Sequence, residues 1–196
     1  MAAVLFFVAG CARPPCPVSP SDPAPSASVS MEPWDSLTGP SARHDVLKQL
    51  VGTFDAANTF WVYPGATPGA PPAQATARVE NKLDLDGRFI VQDYRYPGRP
   101  FRGVTYYGFD NLTQNYQYVW LDSEITGIET MTGTIDATSR VITFRADEVD
   151  PISRKRMAVR MTLRIESDRR HRVERYETRQ GKPEVKAEET VYTRVD

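Results

Sequence analysis

At 196 residues, with 24 Lys and Arg against 25 Asp and Glu, the chain carries a net charge of −1. That balance excludes the marked basic excess of a nucleic-acid binder, so no nucleic-acid partner is expected. The only cysteines, Cys11 and Cys16, leave everything after them without a disulfide framework or a cysteine-based metal site.

Residues 1–10 read as a signal peptide. Their apolar run, AAVLFFVAG, is too short to span a bilayer as a helix but suits the core of a secretory signal. It ends in Val8-Ala9-Gly10-Cys11, which resembles a bacterial lipobox: an aliphatic residue and two small ones before the cysteine to be acylated. The resemblance implies cleavage before Cys11 and a diacylglycerol on its thiol. The product would be lipid-anchored to a bacterial membrane in the cell envelope, facing the periplasm or the exterior. An ordinary signal peptide and a chance apolar start are the alternatives. Met1-Ala2-Ala3 lacks the usual Lys or Arg, as a start assigned downstream of the true one would. Residues 11–40 follow as a linker rich in Pro, Ser and Ala, and half of the 16 prolines lie in the first 40 residues. Such a stretch has too few large apolar groups to offset its ordering entropy, so it is expected to be disordered or polyproline-like. At the polyproline rise it would reach up to roughly 90 Å.

Residues 41–196 form the folded domain, which holds every Phe and Tyr except Phe6 and Phe7. Residues 41–50 predict a short helix, with Ser41 as N-cap, Val46, Leu47 and Leu50 as its apolar stripe and Gly52 closing the end. Period-two alternation then takes over. A strand at 52–63 precedes a Pro/Gly-rich loop at 64–72. A half-buried strand at 75–85 ends at Asp86-Gly87, a strong hairpin signal. Further strands are predicted at 89–96, 101–109, 116–123, 128–135, 141–146, 155–165, 171–179 and 184–194. About ten strands joined almost wholly by hairpins point to an all-β fold, an antiparallel up-and-down β-barrel with one short N-terminal helix. Closure removes the exposed edges that invite aggregation.

Pairing parity assigns the interior. Met157, Val159, Met161, Leu163 and Ile165 share one face. A two-residue turn at Ser167-Asp168 sets Arg172, Glu174 and Tyr176 opposite Leu163, Met161 and Val159. A turn at Gln180-Gly181 adds Val185, Ala187, Glu189 and Val191. Counting from Asp86-Gly87 sets Asn81 opposite Gln92 and Val79 opposite Tyr94, and carries Thr105, Tyr107, Tyr118, Trp120 and Asp122 inward. A slip of one residue reverses any of these. Charges rarely enter a packed core unpaired. The polar members, Asn81, Gln92, Tyr94, Asp122, Arg172, Glu174, Tyr176 and Glu189, therefore either line a ligand cavity or include an ion network around Arg172. The run Arg169, Arg170, His171, Arg172 reads as a solvated hairpin end, or else as a patch for anionic headgroups.

Several stretches together resemble the bacterial family catalogued as domain of unknown function 1579. They include His44-x-x-Leu47-x-x-Leu50-Val51-Gly52-Thr53-Phe54-Asp55, then Glu80-Asn81 with Gly87-Arg88-Phe89-Ile90-Val91-Gln92-Asp93-Tyr94. Gly108-Phe109-Asp110-Asn111, Trp120-Leu121-Asp122-Ser123, Thr126-Gly127, Glu174-Arg175-Tyr176-Glu177 and Tyr192-Thr193-Arg194 complete the set. Phe54 stands where a tryptophan is usual. The resemblance implies a calycin-like barrel, similar to lipocalins and fatty-acid-binding proteins, and it implies no activity.

The chemistry is sparse. His44 and His171 are the only histidines, no zinc or nucleotide motif is present, and neither metal nor cofactor is expected. By parity His171 faces outward, while His44 reads as a capping or packing residue. Gly103 and Gly108 read as bulges or bends of the wall. Three functions remain: a barrel holding a small apolar or amphipathic ligand, an enzyme using Asp122, Glu174 and Glu189 as interior carboxylates, or a solidly packed interaction module. The first leads, with Tyr94, Tyr107, Tyr118, Trp120 and Tyr176 available to stack on the ligand.

Overall fold

In a computed structural model that describes residues 34, 37–62, 69–151 and 153–196, ten strands close into one barrel. The expected signal peptide, Cys11 and nearly all of the tether lie outside the described residues. Helix α1 is Ala42–Lys48. The strands are β1 Gly52–Phe60, β2 Ala73–Asp84, β3 Phe89–Arg95, β4 Arg102–Asp110 and β5 Asn115–Asp122. They continue as β6 Glu129–Ile135, β7 Val141–Val149, β8 Arg156–Ser167, β9 Arg170–Arg179 and β10 Val185–Arg194. Each strand pairs antiparallel with its chain neighbours, and β1 closes on β10 with Ala56 opposite Tyr192. The expected up-and-down topology is the one observed.

Local chemistry explains the pairing. Alternation along β8 buries Met157, Val159, Met161, Leu163 and Ile165. The β2–β3 connection runs through Leu85, Asp86 and Gly87, all at positive φ, which the Asp-Gly pair tolerates; it sets Asn81 opposite Gln92 and Val79 opposite Tyr94.

Helix α1 plugs one end of the barrel. Its N-terminus is tied by the Ser41 backbone N–H, which donates to His44 Nδ1 at 2.9 Å, and the same ring is hydrogen-bonded to the Phe109 backbone of β4. Burial holds the His44 pKa below its ordinary value, as a neutral ring bonded at both nitrogens requires. Val46, Leu47 and Leu50 join Ile90, Phe109 and Tyr116 in one buried cluster. Asn81 Nδ2 donates to the Leu50 carbonyl at 2.8 Å, answering a group left open beyond the helix end. Burying Leu47 and Leu50 contributes about 1.5–3 kcal/mol each, so the plug is held mainly by apolar burial.

The opposite end, where β1 runs out at Phe60 and the β3–β4 and β5–β6 connections lie, has no such plug among the described residues. Packing differs around the wall as well. β8 presents Met, Val, Leu and Ile to the interior, whereas β1 and β2 present Ala56, Ala75 and Ala77. Small side chains on one wall and a plug at one end leave space.

Two strands depart from the expected register. β8 turns through Asp168-Arg169, since Ser167 pairs with Arg170, and Glu166 bulges, so that Ile165 pairs with His171 and Leu163 with Val173. A second bulge at Ala187 sets Arg175 opposite Glu188 and Val173 opposite Thr190. One extra residue in a strand exchanges its two faces. His171, Val173, Arg175 and Glu177 of β9 therefore point inward, with Glu188, Thr190 and Tyr192 of β10. Arg172, Glu174, Tyr176, Glu189 and Val191 lie on the outer surface, contrary to the parity count. His171, expected outside, is buried: its ring stacks on Tyr192 at 4.3 Å between centroids and meets the Phe54 ring edge-on at 4.7 Å.

Candidate functional site

Between the plugged end and the open one lies a cavity of about 480 Å³. One wall is aromatic. The Tyr94 ring meets Tyr96, Phe101 and Trp120 edge-on, at 5.6, 6.4 and 5.8 Å between centroids, and Phe101 stacks on Trp120 at 6.4 Å. Gly103 of β4 makes this wall possible. A Cβ there would stand 2.1 Å from Trp120 Cη2, so only glycine lets the indole lie flat against the strand. The indole is fixed at its other side by Nε1–H, which donates to Asp122 Oδ2 at 2.9 Å.

Hydrogen bonds hold the polar part of the interior in place. Thr105 Oγ1 donates to Gln92 Oε1 at 3.3 Å, and Gln92 Nε2 donates to Asn81 Oδ1 at 3.0 Å, continuing to the Leu50 carbonyl. Asn58 Nδ2 donates to the Ala56 and Ala75 carbonyls, and its Oδ1 accepts from Tyr94 at 2.6 Å and Thr190 at 2.8 Å. These buried amides are spent on structure. Burial also raises the Tyr94, Tyr107, Tyr118 and Tyr192 pKa values far above the ordinary phenol, so all four hydroxyls stay neutral.

The third wall is ionic. Arg175 Nη1, Nη2 and Nε lie 3.3, 2.5 and 3.3 Å from carboxylate oxygens of Glu129, Glu148 and Glu177. Arg179 joins Glu177 at 2.8 Å and Asp150 at 3.4 Å. Glu188, next to Arg175 across the β9–β10 pair, faces the cavity, 3.2 Å from the Thr190 Oγ1 whose single proton it shares with the closer Asn58 Oδ1, and it has no ion pair among the described residues. Burial pushes the Glu188 and Glu129 carboxyls above their ordinary pKa; Arg175 opposes the shift without cancelling it. Glu148 Oε1 is buried and has no hydrogen-bond partner among the described residues. Acceptors outnumber donors here.

Of the residues expected inside, Gln92, Tyr94, Tyr107, Tyr118 and Trp120 line the cavity. Asn81 is interior but belongs to the plug. Asp122 sits at the rim, braces Trp120 and accepts from the backbone N–H groups of Glu124 and Ile125. Arg172, Glu174 and Glu189 do form an ion network, on the outer surface: Arg172 pairs with Glu166 and Glu189, and Lys186 with Glu174 and Glu189. Tyr176 lies beneath the Arg160 guanidinium, 3.9 Å from its ring centroid, also outside. The interior groups that the parity count missed are Tyr96, Phe101, Glu129, Arg175 and Glu188. Tyr96 and Phe101 share the parity of Tyr94 and Thr105, and for the ionic wall Val173 and Tyr192 carried the usable signal. Placing both inward requires the bulged register and brings Arg175 and Glu188 in with them.

Comparison with known proteins agrees with the fold. A crystal structure of Rv2717c from M. tuberculosis matches at 16% identity and a TM-score of 0.55, over 81% of this chain and 100% of that one. At that identity the likeness speaks for the barrel alone. Among curated proteins none matches. The model of a family described as "Protein of unknown function (DUF1579)" matches residues 39–194, the whole barrel with its closing helix, and the chain therefore belongs to that family.

Proposed function

We propose that this barrel is a binding module that holds one small amphipathic molecule, tethered in the cell envelope through lipidated Cys11. The observation that carries the reading is the cavity itself: about 480 Å³, with an aromatic wall beside fixed polar and charged groups. That volume and that mixture suit a single organic ligand, whose apolar part packs inside the barrel while its polar end meets the charged groups. The tether rests on the Val8-Ala9-Gly10-Cys11 motif and the Pro-rich segment after it.

The competing readings lose ground. Catalysis by Asp122, Glu174 and Glu189 has no common site, because the two glutamates lie outside the barrel and Asp122 is committed to Trp120 and a loop. A solidly packed module is at odds with the cavity.

Native mass spectrometry on full-length protein extracted from membranes tests the binding reading. A retained small molecule is expected, and Trp120→Ala, which removes the centre of the aromatic wall, should lose it. A wild-type barrel that retains nothing and binds no octyl probe of any charge sinks the proposal. The tether is tested apart: Cys11→Ser should move the protein from the membrane to the soluble fraction, and continued membrane association would discard it.

A further inference from the structure

The charged wall of the cavity holds more negative than positive groups. The lining itself carries Arg99 and Arg175 against Glu124, Glu129 and Glu188, and behind it Arg179 stands against Glu148, Glu177 and Asp150. Each nitrogen of the Arg175 guanidinium already meets a carboxylate, so its charge is committed within the wall. Arg99 at the mouth is paired with Glu124 at 3.3 Å. A ligand carboxylate, sulfate or phosphate would meet surplus carboxylates and no uncommitted cation in this wall.

A cation would meet the opposite. Glu188 has no ion pair among the described residues and lines the same cavity as Tyr94 and Tyr96, linked to Tyr94 through Thr190 and Asn58, and those rings belong to the four-ring wall with Phe101 and Trp120. A carboxylate set among aromatic faces is the chemistry that recognises a weakly hydrated organic cation: the rings offer their negative faces and the carboxylate offers the countercharge. A hard metal ion is a poor match, since it needs several converging oxygens and gains little from aromatic walls. Among the described residues no group of three or more His, Cys, Asp or Glu could hold a metal.

We infer that the ligand's polar end is an organic ammonium, seated between Glu188 and the Tyr94–Tyr96–Trp120 wall, with its apolar part deeper in the barrel. This deepens the binding reading and rests on it. Three probes with one tail and different heads separate the two: octyltrimethylammonium, 1-octanol and octanoate, each titrated calorimetrically into the full-length protein. The expected order is octyltrimethylammonium at least tenfold tighter than octanol, with octanoate weakest. Glu188→Gln should remove most of the cation's advantage and leave octanol unchanged. Equal affinity for all three, or a preference for octanoate, overturns the ammonium inference while the amphipathic reading stands. Failure of all three to bind overturns both. If Glu188→Gln melts early, the wild-type order decides, and Tyr96→Leu at the mouth should still weaken only the cation.

Discussion

Strands β9 and β10 carry an ion network on each face, and the two differ in stoichiometry more than in residue type. Outside, Arg170, Arg172 and Lys186 meet Glu166, Glu174 and Glu189, three charges against three. Inside, two arginines meet five carboxylates. The consequence shows in the carboxyl groups. Burial alone would raise the Glu189 pKa, but bonds from Lys186 and Arg172 outweigh it and hold it below the ordinary value. Burial raises Glu129 and Glu188 as well, and there Arg175 is outweighed. A balanced surface network is a solvated lattice of modest worth. An unbalanced interior one is costly, because carboxylates are left without a full share of countercharge.

The largest expected effect comes from deleting the inner cation. Arg175→Leu keeps the bulk but strands Glu129 and Glu148, while Glu177 keeps Arg179, and should cost about 3–5 kcal/mol, measured by urea unfolding at neutral pH. The loss should shrink in acid. Carboxyls whose folded pKa is raised penalise the folded state when ionised, and that penalty is relieved as pH falls through the folded pKa. A variant as stable as the wild type at neutral pH would show the inner network to be no more than the outer one.

His171 offers a second, intermediate effect on the same strand. Burial first, and then the nearby Arg194 charge, lower its pKa to about 3. A folded-state pKa below the unfolded one means that the unfolded chain takes up the proton first. The neutral ring therefore supports folding fully above about pH 6.5, and this support is lost as pH falls from there toward 3, on the order of a few kcal/mol in all. His171→Phe preserves the stack on Tyr192 and cannot titrate. The difference in stability between variant and wild type should therefore grow in the variant's favour as pH drops from 7 to 4. A difference that stays flat across that range would place the imidazole in water.

The contrast between the faces also marks what could be read from sequence. Barrel, strand count, the short N-terminal helix and the Asn81–Gln92 and Val79–Tyr94 pairs were legible, because β2 and β8 alternate cleanly and Asp86-Gly87 fixes a register; that the helix plugs one end was not. The ionic wall was not. β9 reads Arg-His-Arg-Val-Glu-Arg-Tyr-Glu-Thr-Arg, where both faces are mostly charged and alternation hardly distinguishes them. The choice fell to the bulges at Glu166 and Ala187, each a single residue with no composition of its own. The aromatic wall was more legible than it was read: Tyr96 shares the parity of Tyr94, and Phe101 that of Thr105, but each sits at the last or first position of its predicted strand, where alternation constrains a side chain least.

The smallest effect completes the comparison. Arg172 sits beside His171 in sequence and on the opposite surface in space, held 2.9 Å from Glu166 and 3.2 Å from Glu189. Arg172→Ala leaves Glu166 with Arg170 and Glu189 with Lys186, so neither carboxylate is stranded. The expected loss is about 0.2–1 kcal/mol, and it should fade as added salt screens the surface. Salt should do far less to the Arg175→Leu deficit, since ions screen buried pairs poorly. Equal salt dependence of the two deficits would mean that both networks face the same solvent, and the interior surplus on which cation selectivity depends would then be screened away.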